Sequence, residues 1–430
     1  MAPFFHSVRL DADKCKGCTN CIKHCPTEAI RVRNGKAYIL EDRCVDCGVC
    51  IRACPNHAKI VHTDPLRRCD EFAYNIALPA PALFGQFANL AEPGIVLDAL
   101  LELGFDDVFE VSLAADLVTQ AMRRFIEQQE KNGPWISASC PAVVRLIQVR
   151  FPELIPNLIA VESPMEVAGA LARQRAARLT GLSPTEIGVW FITPCPAKVT
   201  AIHQPEGTAA ASVTGAIAVS QIYGDILKLL AGKEGAQREF RASGPGLGWG
   251  RAGGENMALG IADHLAVDGI HNVISLLEEL EVGRVQDIKF LECQACTGGC
   301  VGGALTVENP FIARVRLRKL ATQLPQVPRV SMEEVQVQLG DIFSIKGSIS
   351  PRPMTPLAAN LLVAIEKMER LEIIEKCLPG LDCGACGAPN CRALAEDIVR
   401  GIARERDCVI KMREELLAHG NSNSKQKGAE

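Results

Sequence analysis

Residues 291–300 read LECQACTGGC and place three cysteines within eight positions. Two glycines, Gly298 and Gly299, separate the last two of these cysteines, and the strand-like run DIKFLE (287–292) leads into the stretch. Glycine lets a backbone pass close to a bulky ligand. The stretch therefore predicts a loop that holds a ligand at the end of a strand, with further thiols coming from elsewhere in the chain.

Two other cysteines follow strand-like runs in the same way. WISAS precedes Cys140, and WFIT precedes the Pro-Cys-Pro run at Cys195. From about residue 70 to 345 such runs alternate with helical patterns, which predicts an α/β domain. Ligands of α/β sheets collect beyond the carboxyl ends of the strands. We therefore expect Cys140, Cys195, Cys296 and Cys300 to meet there, enough thiols for one [4Fe-4S] cluster.

Composition narrows the class of protein. The chain has 430 residues, a formal net charge of −4 and 19 cysteines, an odd number. This charge gives no reason to expect nucleic acid or an anionic membrane as a partner. Neither a signal sequence nor a membrane-spanning run is visible, which predicts a soluble cytoplasmic protein. Disulfides are improbable there, so the clustered cysteines predict metal thiolates.

An internal repeat marks the N-terminal segment. Its first copy has the spacing C-x2-C-x2-C-x3-C-P, and its second copy lies 29 residues further on. This is the pattern of two-cluster bacterial ferredoxins, in which the fourth cysteine of each run ligates the other cluster. Zinc is the alternative, but zinc sites rarely use this spacing. The pattern predicts two [4Fe-4S] clusters, one on Cys15, Cys18, Cys21 and Cys54 and the other on Cys44, Cys47, Cys50 and Cys25.

The C-terminal segment predicts a fourth cluster. KGSISPRPMTP (346–356) has the composition of a linker, and Thr355 with Pro356 predicts the start of a helix. Three thiols then follow in a short run, and a cube needs a fourth, for which Cys377 and Cys408 are the candidates. We expect the polar tail from residue 418 to be disordered. The short run consists of Cys383, Cys386 and Cys391.

The three central loops resemble the motifs of a known family. SASCPAV, TPCPAK and ECQACTGGCVGG look like the three motifs of the [FeFe]-hydrogenase catalytic domain, and the resemblance extends over roughly 75–320. It implies that Cys140, Cys195 and Cys296 hold a [4Fe-4S] cube and that Cys300 also bridges to a diiron unit with CO and cyanide ligands. Lys198 matches the lysine that hydrogen-bonds a cyanide.

The C-terminal run resembles a small 4Fe-4S domain of corrinoid and CO-metabolism proteins. That resemblance favours Cys408 as the fourth ligand and leaves Cys377 free. Cys69 and Cys293 are interpreted as ordinary small apolar residues.

The chain departs from the family at the proton path. Ser139 stands where high-turnover members have a cysteine that relays protons, and a thiol relays protons near neutral pH far better than an alcohol. The usual relay glutamates are not recognisable, although Glu127 and Glu130 remain candidates. Retained metal ligands with a weakened proton path resemble the sensory branches of the family.

These observations predict three parts and a tail, with boundaries at 1–68, 69–345, 346–417 and 418–430. Three functions remain open: a slow H2-converting enzyme of anaerobic metabolism, an H2 or redox sensor, and an electron-transfer subunit that has only [4Fe-4S] clusters. The expected partners are a ferredoxin-like or signalling redox protein, together with maturation proteins if the diiron unit is present.

Overall fold

A computed structural model of the chain describes residues 4–129, 133–205, 211–339 and 341–426. The chain divides into two compact units, each built from segments that are separate in sequence. We call one the central unit; it contains Met1–Val8, Val45–Gly48 and Val61–Arg352. We call the other the terminal unit; it contains Arg9–Cys44, Val49–Ile60 and Pro353–Glu430.

The N-terminal segment repeats a short pattern of strands and one-turn helices. Cys21 lies on the first of these helices and Cys50 on the second, so the structure keeps the periodicity of the sequence repeat. The β2 and β3 strands pair in antiparallel fashion, and β1 pairs with β4. The elements are β1 (Val8–Leu10), α1 (Asn20–Lys23), β2 (Ile30–Arg33), β3 (Lys36–Ile39), α2 (Val49–Arg52) and β4 (Lys59–Val61).

The central unit is an α/β domain, as the alternating sequence pattern predicts. Its strands are β5 (Tyr74–Pro79), β6 (Asp107–Val108), β7 (Trp135–Ile136), β8 (Ile187–Thr193), β9 (Gly215–Ala218), β10 (His264–Asp268) and β11 (Phe290–Gln294). Its helices are α3 (Pro81–Phe84), α4 (Gly94–Glu102), α5 (Val111–Gln128), α6 (Pro141–Arg150), α7 (Pro164–Thr180), α8 (Pro196–His203), α9 (Val219–Leu230), α10 (Gly244–Gly248), α11 (Gly254–Leu259), α12 (Ile270–Glu281), α13 (Pro310–Gln323) and α14 (Met332–Leu339).

The strands of the central unit form two parallel sheets. One has the order β6-β5-β8-β9 and the other the order β10-β11-β7. The central strand β8 is buried along its whole length, which explains its continuous apolar run, since parallel sheets are covered on both faces. The three cysteine loops therefore follow strands of two different sheets, with Cys195 after β8 and the other ligand candidates after β7 and β11.

Three helices form the C-terminal part of the terminal unit: α15 (Leu361–Cys377), α16 (Cys391–Val399) and α17 (Val409–Gln426). Leu371 and Ile374 of α15 pack with Ala393 and Leu394 of α16 in a small core. This core is small, as expected for a segment that a metal cluster would help to stabilise.

Two details of this part differ from the sequence-based expectations. Asn360, not Thr355, caps α15: the Asn360 side chain accepts hydrogen bonds from the N–H groups of Leu362 and Val363. The tail expected to be disordered from residue 418 continues α17 as far as Gln426, because each added residue of a started helix gains a hydrogen bond at little cost. Residues 427–430 lie outside the described residues.

Within the terminal unit, the C-terminal part packs on the strand β2. The Val32 N–H donates to the Gly387 carbonyl over 2.8 Å, and the Arg31 Nε donates to both carboxylate oxygens of Asp397 at 3.0 and 2.9 Å. Arg31 and Asp397 are both buried. An ion pair buried in this way fixes the register of the two segments.

Every helix among the described residues is too short or too polar to cross a bilayer.

Candidate metal centre

The predicted cysteines of all three loops line one cavity of the central unit. It encloses about 820 Å³, including its open mouth. Its wall contains Cys140, Cys195, Cys296 and Cys300. Thiols that are up to 160 positions apart in the chain therefore share one pocket.

Two of these thiols lie between the end of a strand and the start of a helix. Cys140 and Cys195 are the residues directly before α6 and α8, and in each case proline is the first helical residue. Proline suits that position because its missing N–H has no helical partner there. A helix N-terminus favours negative charge, so both positions suit ligands of an anionic metal cluster.

Glycine shapes the third loop. Gly298 and Gly299 both have φ in the left-handed region, at 81° and 92°. A Cβ on Gly299 would lie 2.4 Å from the Ala252 nitrogen, so this glycine makes room for a neighbouring loop of the protein itself. We therefore refine the sequence-based interpretation: Gly299 permits the close approach of two protein loops that together form the cavity wall.

Burial opposes ionisation of three of the thiols in this cavity. Burial, reinforced by the neighbouring thiols, raises the pKa of Cys195 to about 11 and that of Cys300 to about 12. The same causes raise the pKa of Cys296 well above its usual range. A metal cluster would reverse this, because metal binding deprotonates thiols. The donor set thus fits a cluster with cysteine ligands.

Lys198 is buried on the cavity wall rather than solvated. It lies on α8, and its Nζ donates to the Ser139 carbonyl over 3.0 Å. Ser139 also lines the cavity, and its N–H donates to the Ser137 Oγ over 3.2 Å. One cation and two hydroxyl groups thus accompany the four thiols.

Two buried carboxyl groups were missed by the sequence-based interpretation. Glu255 lines the cavity, forms a hydrogen bond with Ser137, and has one carboxyl oxygen, Oε1, without a partner among the described residues. Burial first and the nearby Glu292 second raise the pKa of Glu255 well above its usual range.

Glu292 accepts hydrogen bonds from the N–H groups of Gly253 and Asn256 at 2.8 and 2.9 Å. Burial raises its pKa to about 7 despite these bonds. The signal that could have revealed the pair was an acid in each of two apolar stretches, GGENMA and KFLECQ.

The remaining thiols differ in their surroundings. Cys293 is buried on the cavity wall, and burial raises its pKa above the usual range of a thiol. Cys69 is half-buried, and Cys377 is exposed. The relay candidate Glu127 is exposed at the end of α5, while Glu130 lies outside the described residues.

In the terminal unit, a second, smaller cavity lies among the N-terminal cysteines. It encloses about 330 Å³ and is lined by the four cysteines predicted to hold the first ferredoxin-type cluster: Cys15, Cys18, Cys21 and Cys54. The other predicted set, Cys25, Cys44, Cys47 and Cys50, stays a sequence-based prediction.

The C-terminal thiols also lie near one another. Cys386 and Cys391 pack against the small core that contains the buried Cys408, and the thiols of Cys383 and Cys408 both act electrostatically on Cys386. Cys377 is exposed and is not part of that group. The geometry favours Cys408 over Cys377 as a fourth ligand.

Fold and cysteine arrangement together define an iron–sulfur protein with a hydrogenase-like α/β domain. Residues 73–223 and 253–304 belong to the family described as iron only hydrogenase large subunit, C-terminal domain. Residues 7–55 match a 4Fe-4S dicluster domain, and residues 378–410 match an Fe-S cluster domain. These matches confirm the fold class and the family expected from the sequence.

Individual relatives agree with this assignment. The periplasmic [Fe] hydrogenase large subunit of Nitratidesulfovibrio vulgaris is 31% identical over 212 residues, which are 45% of this chain and 50% of the relative. The chain thus spans about half the length of that relative. The cytosolic Fe-S cluster assembly factor NAR1 of Yarrowia lipolytica is 25% identical over 114 residues, 26% of this chain and 23% of the relative.

A solved structure shows the same fold. A variant of [FeFe]-hydrogenase HydA1 from Chlamydomonas reinhardtii superposes with a TM-score of 0.51 at 17% identity, covering 67% of this chain and 98% of that one. At this identity the likeness establishes the fold alone.

Proposed function

We propose that this protein interconverts H2 with protons and electrons, at low turnover, in the central-unit cavity. The observation that carries the proposal is the shared cavity wall of Cys140, Cys195, Cys296 and Cys300, with the buried Lys198 beside them. A cavity with space beside the thiols suits a centre that must also admit a small substrate.

Each cysteine has a proposed role. Cys140, Cys195 and Cys296 would hold a [4Fe-4S] cluster, and Cys300 would link it to a diiron subsite. When bound, this group would supply the redox centre at which H2 exchanges two electrons with the protein. Lys198 would point a compact ammonium group at an anionic ligand of the subsite, an interaction that suits lysine.

The rest of the wall would control water and protons. Val111, Phe191 and Trp249 give much of the lining an apolar character. Ser139 would hold a proton only weakly, because an alcohol ionises far less readily than the thiol it replaces. Glu255 would hold a proton on its carboxyl group, since burial keeps that group neutral. We infer slow turnover from this arrangement.

Electrons would leave through the ferredoxin-type clusters to a ferredoxin-like or signalling redox protein. The domain match at residues 7–55 supports such clusters. Assembly of the diiron subsite would require maturation proteins.

The test is H2 uptake by anaerobically matured, full-length protein with a viologen dye as electron acceptor. The proposal expects slow, reproducible dye reduction that depends on H2 and is absent after Cys300→Ala. A control variant, Cys377→Ala, removes an exposed thiol and should keep the rate. Dye reduction that is absent in the wild type, or that survives Cys300→Ala, would count against the proposal.

An iron–sulfur scaffold is the second candidate. Similarity to a cytosolic Fe-S cluster assembly factor favours it. In that case the cavity would hold a [4Fe-4S] cluster without diiron, and H2 would reduce no dye.

A further inference from the structure

The small cavity among the N-terminal cysteines contains a buried cation. Lys59 lines that cavity and is 3% exposed. Its Nζ has no hydrogen-bond partner among the residues that the structure describes. Burying an ammonium group without a partner costs free energy, so such a group needs a compensating charge. The four predicted ligands of one cluster are among the residues that share the cavity with it.

Lys59 acts on thiols of this set. Its positive charge acts on the thiols of Cys15 and Cys21, and for Cys21 it opposes the rise in pKa that burial causes. The neighbouring Lys36 differs in kind: it is exposed, and its Nζ donates to the Cys15 carbonyl over 2.9 Å. Lys59 is therefore the buried, unpaired cation of the pocket, and water screens it much less than it screens Lys36.

The internal repeat shows that this cation is present in only one copy. The position 29 residues before Lys59 is Ile30, which is 2% exposed. One half of the repeat therefore has a buried ammonium group where the other half has a buried aliphatic side chain. Two clusters held by otherwise similar motifs would experience different electrostatic fields.

We propose that Lys59 makes the cluster of Cys15, Cys18, Cys21 and Cys54 the more easily reduced of the two ferredoxin-type clusters. Reduction adds one electron, and so one negative charge, to a cluster that is already anionic with its thiolates. A buried cation nearby stabilises that added charge more than it stabilises the oxidised form. This inference rests on the proposed cluster in that cavity and is independent of any H2 chemistry.

Redox titration followed by electron paramagnetic resonance tests the proposal on full-length, anaerobically prepared protein. Lys59→Ile copies the residue of the other repeat and should lower the midpoint potential of one ferredoxin-type cluster, leaving the other clusters unchanged. Cys18→Ser identifies the signal that belongs to this cluster. Lys59→Arg keeps the charge and should keep most of the potential.

Lys14→Gln is the matched control. It also removes one lysine charge, but Lys14 is exposed and pairs with Asp11 at 3.0 Å, so both potentials should stay unchanged. If Lys59→Ile fails to load its cluster, Lys59→Met keeps the chain length of the side chain and is titrated instead.

An unchanged or raised potential in a fully loaded Lys59 variant would overturn the proposal. A wild-type protein without any signal sensitive to Cys18→Ser would instead overturn the cluster assignment beneath it. The two failures are therefore distinguishable, and neither depends on whether H2 is a substrate.

Discussion

Ser139 is the residue on which the rate of the proposed reaction depends most. Ser139 lines the cavity beside Cys140, and its carbonyl accepts the hydrogen bond of Lys198. A thiol at this position would exchange protons near neutral pH, whereas an alcohol does so poorly. General acid–base groups typically contribute between about 100-fold and 10,000-fold to a rate.

Ser139→Cys should therefore raise the H2-dependent rate by at least about tenfold, since a well-placed acid–base group contributes more than that. The rate is measured by dye reduction at equal cluster content. Ala138→Cys is the control, because Ala138 lines a separate cavity and should not change the rate. Equal rates for wild type and Ser139→Cys would show that proton transfer at this position does not limit turnover.

Glu255 gives a prediction about stability that does not depend on H2 turnover. Its folded-state pKa is raised, so the folded chain keeps a proton that the unfolded chain releases above the ordinary pKa of 4.5. Stability is therefore lost as pH rises towards the folded-state pKa, by about 1.4 kcal/mol per pH unit for one such group.

Glu255→Gln cannot ionise and should gain stability relative to the wild type between about pH 5 and pH 7, by about 1.4 kcal/mol for each pH unit. Chemical unfolding of anaerobic protein at several pH values measures the difference. Glu281→Gln removes an exposed carboxyl group and should leave the pH dependence as in the wild type. A constant difference between Glu255→Gln and wild type across this range would show that Glu255 is ionised in the folded chain.

At the scale of elements, the sequence predicts strands better than helix starts. Buried parallel strands such as β8 can be recognised in the sequence by their continuous apolar runs. The start of α15 cannot be recognised in this way. Thr355 before Pro356 has a typical cap composition, but its N–H donates to Asp42 over 2.7 Å. A contact between residues more than 300 positions apart overrides the local preference, and Asn360 becomes the cap instead.

The C-terminal helices lead to a prediction about one cluster. Cys408 is buried near Cys386, whereas Cys377 is exposed at the end of α15. Cys408→Ser should therefore lose about four iron atoms per chain, the content of one [4Fe-4S] cluster, because a serine hydroxyl is a poor ligand for iron. Cys377→Ser should lose none.

Iron and acid-labile sulfide analysis of the purified variants measures this loss. The opposite pattern, with Cys377→Ser losing iron and Cys408→Ser retaining it, would contradict the assignment of the fourth ligand.

At the scale of the whole molecule, the sequence predicts which thiols line one cavity better than it predicts which carboxyl groups are buried beside them. The four thiols at Cys140, Cys195, Cys296 and Cys300 were predictable because each follows a strand, and strand ends of parallel sheets collect ligands. That two sheets rather than one supply these strands was not predictable, since pairing partners of short strands such as β7 leave little local trace.

For a related reason, the sequence did not predict the burial of Glu255, Glu292 and Lys59. Single charged residues usually lie on the surface, and only tertiary packing reveals which of them are buried. Their positions beside predicted clusters are what turns them into candidates for proton storage and for tuning of a potential.

The central claim is that the central-unit cavity holds a [4Fe-4S] cluster joined through Cys300 to a diiron subsite with CO and cyanide ligands. Infrared spectroscopy of anaerobically matured protein tests it most directly, because metal-bound CO and cyanide absorb where proteins do not. The account predicts sharp bands of both ligands in the wild type and in Cys377→Ala, and their loss in Cys300→Ala. A fully loaded wild-type protein without such bands, or bands that persist unchanged in Cys300→Ala, would contradict it.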